Sequence, residues 1–278
     1  MAVERLAADV SDRGRILVWH EPAVERVILA MRERLDETLS LDTMAEIAAL
    51  SPYHFNRVFR QITGVPPGEF LTALRLAAAK RLLLTTPLSV TDVCFEVGYS
   101  SVGSFTTRFT QSVGMPPLRL RRLAAEPVRA LGPTPDSASS CAGGVGIHGE
   151  VTVPGAFAGV IHVGAFPNRL PQSRPVGCTR LFGPGAYHIG ALPDGWYHVL
   201  SAAYPRSRDS LTYLVPEHGV YVGRSERPVL VQGGRASEPV NVVLRRPRVT
   251  DPPIVTATPF VSRLDASTSV ASPRATFR

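Results

Sequence analysis

The sequence predicts a multidomain chain, with an all-α domain built from a repeated helical unit followed by an all-β antiparallel sandwich. Three observations lead to this prediction: apolar residues recur at helical spacing in the first part, a stretch rich in Pro, Ala, Ser and Gly follows, and segments of period two come after it. We expect five segments in chain order. They are a flexible lead-in (1–21), a helical domain (22–123), a linker (124–145), a sandwich (146–251) and a disordered tail (252–278).

Composition narrows the class of protein. The 278 residues, of which 44% are hydrophobic, are enough for two domains, and we find no apolar run long enough to span a membrane. The three cysteines are widely spaced, which is typical of a reducing cytoplasm and argues against a disulfide scaffold or a zinc cluster. We therefore expect a cytoplasmic protein without a cofactor, a metal or a membrane partner.

Positive charge is concentrated where the helical pattern lies. The chain has a net charge of +7, and residues 51–123 hold nine basic side chains against three acidic ones. A basic patch favours a phosphate-rich partner. The alternative is an arginine bias of the whole chain, because Lys80 is its only lysine.

Start and stop signals divide the first domain into helices. An apolar stripe predicts a helix from Pro22 onwards, and Ser40 has the position of an N-cap for a short second helix. Ser51-Pro52 begins a third helix, which Gly64 ends. A longer helix is predicted from Pro67 to Thr85.

The same design recurs 50 residues later. Ser89 and Asp92 have the spacing of a capping box, Gly98-Tyr99 turns the chain, and a helix follows over 102–113. The stretches HFNRVFRQITGVPP and SFTTRFTQSVGMPP share Phe, Phe, Gln, Gly, Pro and Pro in register. A short helix, a sharp turn and a second helix form a helix-turn-helix, so the chain contains this unit twice.

The second helix of each unit is predicted to enter the major groove of DNA, which admits one α-helix. In the first unit Tyr53, Asn56 and Arg57 lie on the outer face. Arginine donates two hydrogen bonds to guanine and asparagine pairs with adenine, so these side chains are candidates for base contacts. For Tyr53, packing at the helix start is the alternative.

Phosphate contacts are expected from basic side chains outside the base-reading positions. The candidates are Arg60, Lys80, Arg108, Arg119 and Arg121. For Lys80, Arg119 and Arg121 the alternative is an ordinary solvated face.

The helix between the two units sets their separation. About 18 residues at ~1.5 Å each span roughly 27 Å, which is close to the ~34 Å of one DNA turn. Two recognition helices held in this way meet successive major grooves on one face of the duplex. A monomer can then do what most helix-turn-helix proteins do as dimers.

Residues 22–123 resemble the DNA-binding domain of the AraC/XylS family of bacterial transcription regulators. The resemblance rests on LDTMAEIAALSPYHFNRVFRQITGVPPGEFLTALRLAAAKRLLL and on SVTDVCFEVGYSSVGSFTTRFTQSVGMPP. It implies two helix-turn-helix units joined by a rigid helix, with base contacts at Tyr53, Asn56 and Arg57. The expected partner is double-stranded DNA, RNA polymerase is a further candidate, and the sequence identifies no small-molecule effector.

The second recognition helix departs from the family. The resemblance places its base contacts at Val102, Gly103, Ser104 and Thr107, and the family often has arginine where this chain has Thr107. The side chains of Val102 and Gly103 offer no hydrogen bonds. Our hypothesis is that the first unit reads sequence and the second mainly holds position.

The segment FGPGAYHIGALPDGWYHVLSAAYP is similar to carboxypeptidase regulatory-domain and transthyretin-like sandwiches. This resemblance covers about residues 146–246 and implies seven or eight strands in a fold that is not catalytic. It suggests a sensor or oligomerisation domain. The alternative function is a carbohydrate- or peptide-binding sandwich tethered to DNA by the helical domain.

Two further candidate sites, a histidine pair and a cysteine, lack the partners that their chemistry requires. His188 and His198 are expected to be diagonal neighbours across a tight turn at 193–195, but no acid or cysteine completes a metal site. Cys141 invites comparison with the alkyl-accepting cysteine of Ada-type repair proteins, but nothing around it lowers a thiol pKa. No nucleophile and base come together, so we expect no enzyme.

Overall fold

The computed structural model describes residues 19–125 and 145–257, apart from Arg208, Ser210, Glu217 and His218. The first part is called the helical region and the second the sheet region. The predicted lead-in before residue 19, most of the linker, Cys141 and the tail beyond residue 257 lie outside the described residues. No helix in the described part is both long and apolar enough to cross a bilayer.

The described residues form eight helices, seven of them in the helical region. They are α1 (19–33), α2 (Leu41–Ala48), α3 (Pro52–Thr63), α4 (Pro67–Thr85), α5 (Val90–Glu96), α6 (Val102–Val113), α7 (Pro117–Ala125) and α8 (Leu211–Leu214).

The predicted helix signals are confirmed from α2 onwards, whereas α1 begins at residue 19, inside the predicted lead-in, rather than at Pro22. The long helix α4 runs from Pro67 to Thr85, and Ser89 and Asp92 form a capping box at the start of α5. Gly64 ends α3 with a φ of 86°, and Gly114 ends α6 with a φ of 93°. Both lie in the left-handed region that favours glycine, so the two units end in the same way.

The sequence signals miss α7. Pro117 is the first residue of α7, as Pro67 is the first residue of α4. Proline suits this position because the first helical N–H needs no partner within the helix.

Aromatic side chains form the core of the repeated units. Phe55, Phe59, Phe105 and Phe109 are fully buried, as expected from their helical spacing. Phe59 meets Phe70 of α4 edge-on with ring centroids 5.4 Å apart. The helices α3 and α6 are therefore anchored by their apolar faces, which leaves their polar faces outward.

Nine strands follow in the described sheet region. They are β1 (Ile147–Thr152), β2 (Gly159–Phe166), β3 (Gly177–Leu181), β4 (Gly185–Ile189), β5 (Gly195–Pro205), β6 (Tyr221–Arg224), β7 (Val229–Gln232), β8 (Arg235–Ala236) and β9 (Val242–Val243).

The strands form two sheets around one apolar cluster. The smaller has the order β4-β1-β9, and the larger has the order β3-β2-β5-β7-β8 with β6 also paired to β5. Ile147 and Ile189 from the smaller sheet share a buried cluster with Ile161, Val163 and Val199 from the larger. The pairing is antiparallel except for β1 with β9, which is parallel. A helical region followed by a sheet-rich region is confirmed, but the sheet region is not purely antiparallel.

The turn at 193–195 does not join a hairpin. β4 pairs with β1, whereas β5 pairs with β2, β6 and β7, so the chain crosses from one sheet to the other between β4 and β5. The Tyr197 hydroxyl donates to Pro193 O at 2.9 Å within this crossing. The prediction of a tight turn between paired strands is wrong, because a local turn pattern does not reveal which sheet the next strand joins.

The outer face of the larger sheet packs on the helical region. Val160, Tyr204 and Leu214 from the sheet region belong to the same buried cluster as Phe59 and Leu76 from the helical region. The two regions therefore share a continuous apolar core.

The sheet region also binds the carbonyl end of α6. Ser173 donates its N–H to Ser112 O at 2.5 Å and its hydroxyl to Gln111 O at 2.7 Å, and Ala257 N–H donates to Val113 O at 3.1 Å. The last carbonyls of a helix have no partner within it, so these bonds satisfy groups that would otherwise need water.

Lys80 is buried, which contradicts the prediction made from the sequence. Its side chain is only 2% exposed, and Nζ donates to Ile254 O, Val255 O and Thr256 O at 2.9, 3.3 and 3.5 Å. The predicted phosphate contact is wrong, because the segment 252–257 covers this face of α4. The predicted disorder is also wrong for 252–257, where Val255 and Ala257 are fully buried.

We predict that Lys80 makes stability depend on pH. Burial lowers the pKa of Lys80 to about 7 from its ordinary 10.5. Between these values only the unfolded chain holds the proton, so the free energy of unfolding should rise with pH by up to about 1.4 kcal/mol per pH unit. Below pH 7 both states are protonated and this dependence ends. Urea unfolding of wild type and Lys80→Met at pH 6, 7, 8 and 9 measures it.

The exposed neighbour Arg81 provides the control for this experiment. Arg81→Met should keep the wild-type slope, whereas Lys80→Met should lose the part that lies above pH 7. Equal slopes for all three proteins would contradict a depressed Lys80 pKa.

Candidate nucleic-acid interface

The helix α3 presents a polar face to solvent. Phe55, Val58 and Phe59 are buried, whereas Asn56 and Arg57 are exposed. Tyr53, at the start of the helix, is 84% exposed. Packing at the helix start does not account for a phenol ring as exposed as this, so Tyr53 is available for a ligand.

Arg57 has a neighbour that restricts it. Its Nη2 lies 3.4 Å from His54 Nδ1, and His54 Nε2 lies 3.4 Å from His20 Nε2 on α1. The two imidazole rings meet edge-on with centroids 5.2 Å apart. These contacts are long and weak, but they join α1 to the outer face of α3 and limit the positions of Arg57.

The helix α6 presents a poorer set of donors. Ser104, Thr107 and Arg108 are exposed, and the Ser104 hydroxyl donates to Ser101 O at 3.0 Å. Arg108 occupies the position of Val58 in the first unit, but Val58 is buried and Arg108 is not. The second recognition helix therefore offers one long cationic side chain between short hydroxyls.

A cleft of about 1,110 Å³ separates the polar face of α3 from the sheet region. Tyr53, Asn56 and Arg57 line one wall, together with the start of α4. The sheet region supplies the other wall through Asn168 and Arg169, which follow β2, and through neighbouring side chains. The base-reading face predicted for α3 is therefore open to solvent inside a groove rather than on a convex surface.

The cleft is strongly positive. Among the described residues, Arg57, Arg60, Arg108 and Arg169 line it, against one carboxylate, that of Glu69. His198 also lines the cleft, and burial, with help from Arg169 and Arg224, lowers its pKa. Four guanidinium groups around one groove suit a polyanion, because arginine binds phosphate with two parallel hydrogen bonds.

Arg169 is a candidate that the sequence did not reveal. It lies in the connection after β2, about a hundred residues beyond α3 in the chain. No local pattern distinguishes it from the other arginines of the sheet region. Only the docking of the sheet region on the helices brings it to the cleft.

Arg121 has a different role from the predicted phosphate contact. Its side chain is half-buried, with Nε donating to Leu83 O at 2.9 Å and Nη2 donating to Leu88 O at 2.5 Å. These bonds tie α7 to the end of α4 and the connection that follows it. Arg119 is exposed on α7, so its phosphate contact stays a prediction.

The histidine pair considered as a metal site is not brought together. His188 lies on β4 in the smaller sheet, where its Nε2 is 2.6 Å from Val145 O, and His198 lies on β5 in the larger sheet. The described residues contain no cluster of three or more metal-ligating side chains. Cys94 is buried, and this burial raises the pKa of its thiol.

Comparison with known proteins identifies the helical region. The family described as a helix-turn-helix domain matches residues 44–123. The chain is 34% identical over 88 residues to the bifunctional transcriptional activator/DNA repair enzyme AdaA of Bacillus subtilis, which covers 32% of this chain and 42% of that protein. It is 33% identical over 94 residues to the transcriptional activator AarP of Providencia stuartii, which covers 34% of this chain and 70% of AarP.

A solved structure is also similar. It is an AraC-type transcriptional regulator from Chromobacterium violaceum, with 26% identity and a TM-score of 0.36, covering 37% of this chain and 91% of that one. This chain spans less than half of AdaA, so the repair activity in the name of AdaA is not transferred to this chain. The similarity of residues 146–246 to transthyretin-like sandwiches stays a prediction.

The match to AarP extends over more than two thirds of that protein, and the helix-turn-helix match covers both repeated units. The chain belongs to the AraC/XylS family of DNA-binding transcription regulators.

Proposed function

We propose that this protein regulates transcription by binding a specific DNA sequence, with α3 and α6 in successive major grooves of one duplex. The observation that carries the proposal is the exposed face of α3, where Tyr53, Asn56 and Arg57 project into a cleft lined by arginines. An anchored helix with an outward polar face has the form that direct base readout requires.

The helix α4 supports the proposed spacing. Its 19 residues span roughly 28 Å at ~1.5 Å per residue, which is near the ~34 Å of one duplex turn. Phe59 of the first unit packs on Phe70 of α4, and Phe105 and Phe109 of the second unit belong to the same buried cluster as Leu76 of α4. In this proposal α4 acts as a rigid spacer.

The cleft adds a role for the sheet region in this proposal. DNA that places its major groove over α3 brings a phosphate strand close to the cleft, where Arg60, Arg108 and Arg169 meet it. Contacts of this kind set affinity and register without reading bases. The sheet region then takes part in DNA binding directly, in addition to any role as a sensor or oligomerisation domain.

The two recognition helices are proposed to act unequally. The first presents Asn56 and Arg57, which form bidentate pairs with bases, whereas the second presents Ser104 and Thr107. The alternative, a carbohydrate- or peptide-binding module tethered to DNA, is not favoured by the family match.

The proposal is tested by selecting duplexes from a random library with the full chain and footprinting the preferred site. We expect two protected patches on one face of the duplex, centred about one turn or ~10 base pairs apart. Protection over half that length, or no preferred sequence, would contradict insertion of both helices.

Arg57→Ala should cost about 1–3 kcal/mol of binding free energy on the selected site and broaden the preference at the bases it contacts. Thr107→Ala should change base preference much less. Gel shifts on the selected duplex and on single-base variants measure both effects. The proposed asymmetry is wrong if the two substitutions reduce discrimination equally.

Arg169→Ala should weaken binding to all DNA sequences alike. It should also make the fall of the log binding constant with log salt concentration less steep, by about 1 in the slope, because it removes one phosphate contact. The matched control is Arg227→Ala, an exposed arginine of the sheet region outside the cleft. An unchanged salt slope for Arg169→Ala would remove this residue from the interface.

A further inference from the structure

A second concave site lies beside the cleft. It is a cavity of about 90 Å³ between the outer face of the larger sheet and the segment 251–256. The strands β2, β5 and β6 form its floor. It is smaller than the pockets of about 300–1,000 Å³ that take drug-sized ligands, so it fits a molecule of a few carbon atoms.

The strand register determines which side chains face the cavity. His162 of β2 lies opposite Ala202 of β5, which lies opposite Val222 of β6, so these three side chains share one face. Ile161 and Val163 point to the other face and enter the core between the sheets. His162 therefore projects towards the helical region, into the cavity wall.

His162 is an unusual wall residue. It is only 8% exposed, and its Nε2 has no hydrogen-bond partner among the described residues. Burial, and then the charge of Arg180, lowers the pKa of His162 to about 3, so the ring is neutral near pH 7. A buried polar atom left without a partner costs about 1–3 kcal/mol, which a ligand hydroxyl would offset.

The charges around the cavity are not balanced. In the described part of the chain, three arginines and one carboxylate line it, which leaves a net charge of +2. Arg245 and Asp251 form a bidentate pair at 2.7 and 2.8 Å, so these two neutralise each other. Arg169 and Arg224 are not part of this bidentate pair, although the charge of Asp251 also acts on Arg224 and raises its pKa against the effect of burial.

Arg169 and Arg224 are crowded together. A Cβ atom built on Gly64 would lie 3.4 Å from Nη1 of each, so both guanidinium groups lie over the end of α3. Burial, followed by the charge of Arg169, lowers the pKa of Arg224. The only hydrogen bond described for Arg224 is a long one, 3.5 Å to Thr63 O. Two close guanidinium groups with weak partners form a site for an anion.

We propose that this cavity binds a short hydroxycarboxylate, with its carboxylate between Arg169 and Arg224 and its hydroxyl on His162 Nε2. A hydroxyl both donates and accepts, so it pairs with either tautomer of His162. Since β2 and β6 are separated by β5, the ligand needs an extended apolar body between its two polar ends. Ala202 and Val222 line the floor beneath that body.

The cavity is connected to the reading surface. Arg169 lines both the cavity and the cleft, and Arg224 donates to the last turn of α3. A carboxylate that binds these arginines competes with a phosphate for Arg169 and with Thr63 O for Arg224. The ligand should therefore weaken DNA binding, a consequence that rests on the proposed function.

The test uses the full chain without DNA and 4-hydroxybutyrate as the probe, in a chloride buffer free of other carboxylates. A ligand-observed NMR titration should show saturable binding. Butyrate lacks the hydroxyl and 1,4-butanediol lacks the charge, so each should bind at least about fivefold more weakly. If 4-hydroxybutyrate does not saturate, or if either analogue binds equally well, the proposal is overturned.

Variants locate the binding. Arg224→Met and His162→Phe should each weaken 4-hydroxybutyrate about tenfold, whereas Arg227→Met should leave it unchanged. Equal affinity in Arg224→Met and wild type would overturn the assignment. The comparison of 4-hydroxybutyrate with butyrate and 1,4-butanediol on wild-type protein tests the proposal even if a variant fails to fold.

A second experiment measures whether the ligand changes the affinity for DNA. Saturating 4-hydroxybutyrate should lower the affinity of wild type for its selected duplex and should not change that of Arg224→Met. An unchanged wild-type affinity would overturn the link. Failure of the chain to bind any DNA would contradict the proposed function alone, because the titration without DNA is independent of it.

Discussion

The attachment of the sheet region to the carbonyl end of α6 is the constraint on which the architecture depends. Ser173 and Ala257 satisfy the last carbonyls of α6, and Arg224 reaches Thr63 O in the last turn of α3. Helix ends buried in an interface require such partners, and cations are favoured there by the helix dipole. The sheet region thus fixes the end of α6 and makes one long contact, of 3.5 Å, with the last turn of α3.

The segment that follows β9 reinforces this attachment. It crosses the middle of α4, where three of its carbonyls accept from Lys80, and it is itself buried at Val255. A lysine head group at this depth is costly unless its donors are satisfied. The bonds to Lys80 therefore hold the spacer helix, the end of α6 and the sheet region together.

This arrangement suggests how one chain could combine reading and sensing. The cleft and the cavity lie on either side of Arg169, so a phosphate strand and a small anion would draw on the same positive charge. Coupling of that kind needs no large conformational change, because it follows from competition for shared side chains. The difference between the two recognition helices is consistent with this coupling. The helix α3 carries the long hydrogen-bond donors, and it ends beside Arg169 and Arg224.

The sequence by itself determined the helices of the helical region. Their ends are set by Gly64, Gly114 and the Ser89 capping box, which act through neighbours in the chain and can therefore be predicted locally. It also determined the outward face of α3, because a helical stripe that buries Phe55 and Phe59 leaves Asn56 and Arg57 outside. Tertiary structure alone decided the burial of Lys80, the position of Arg169 in the cleft, and the separation of His188 from His198 into different sheets. The first two depend on how the sheet region docks on the helices, and the third depends on which sheet each strand joins. Both kinds of contact link residues far apart in the chain, which no local periodicity records.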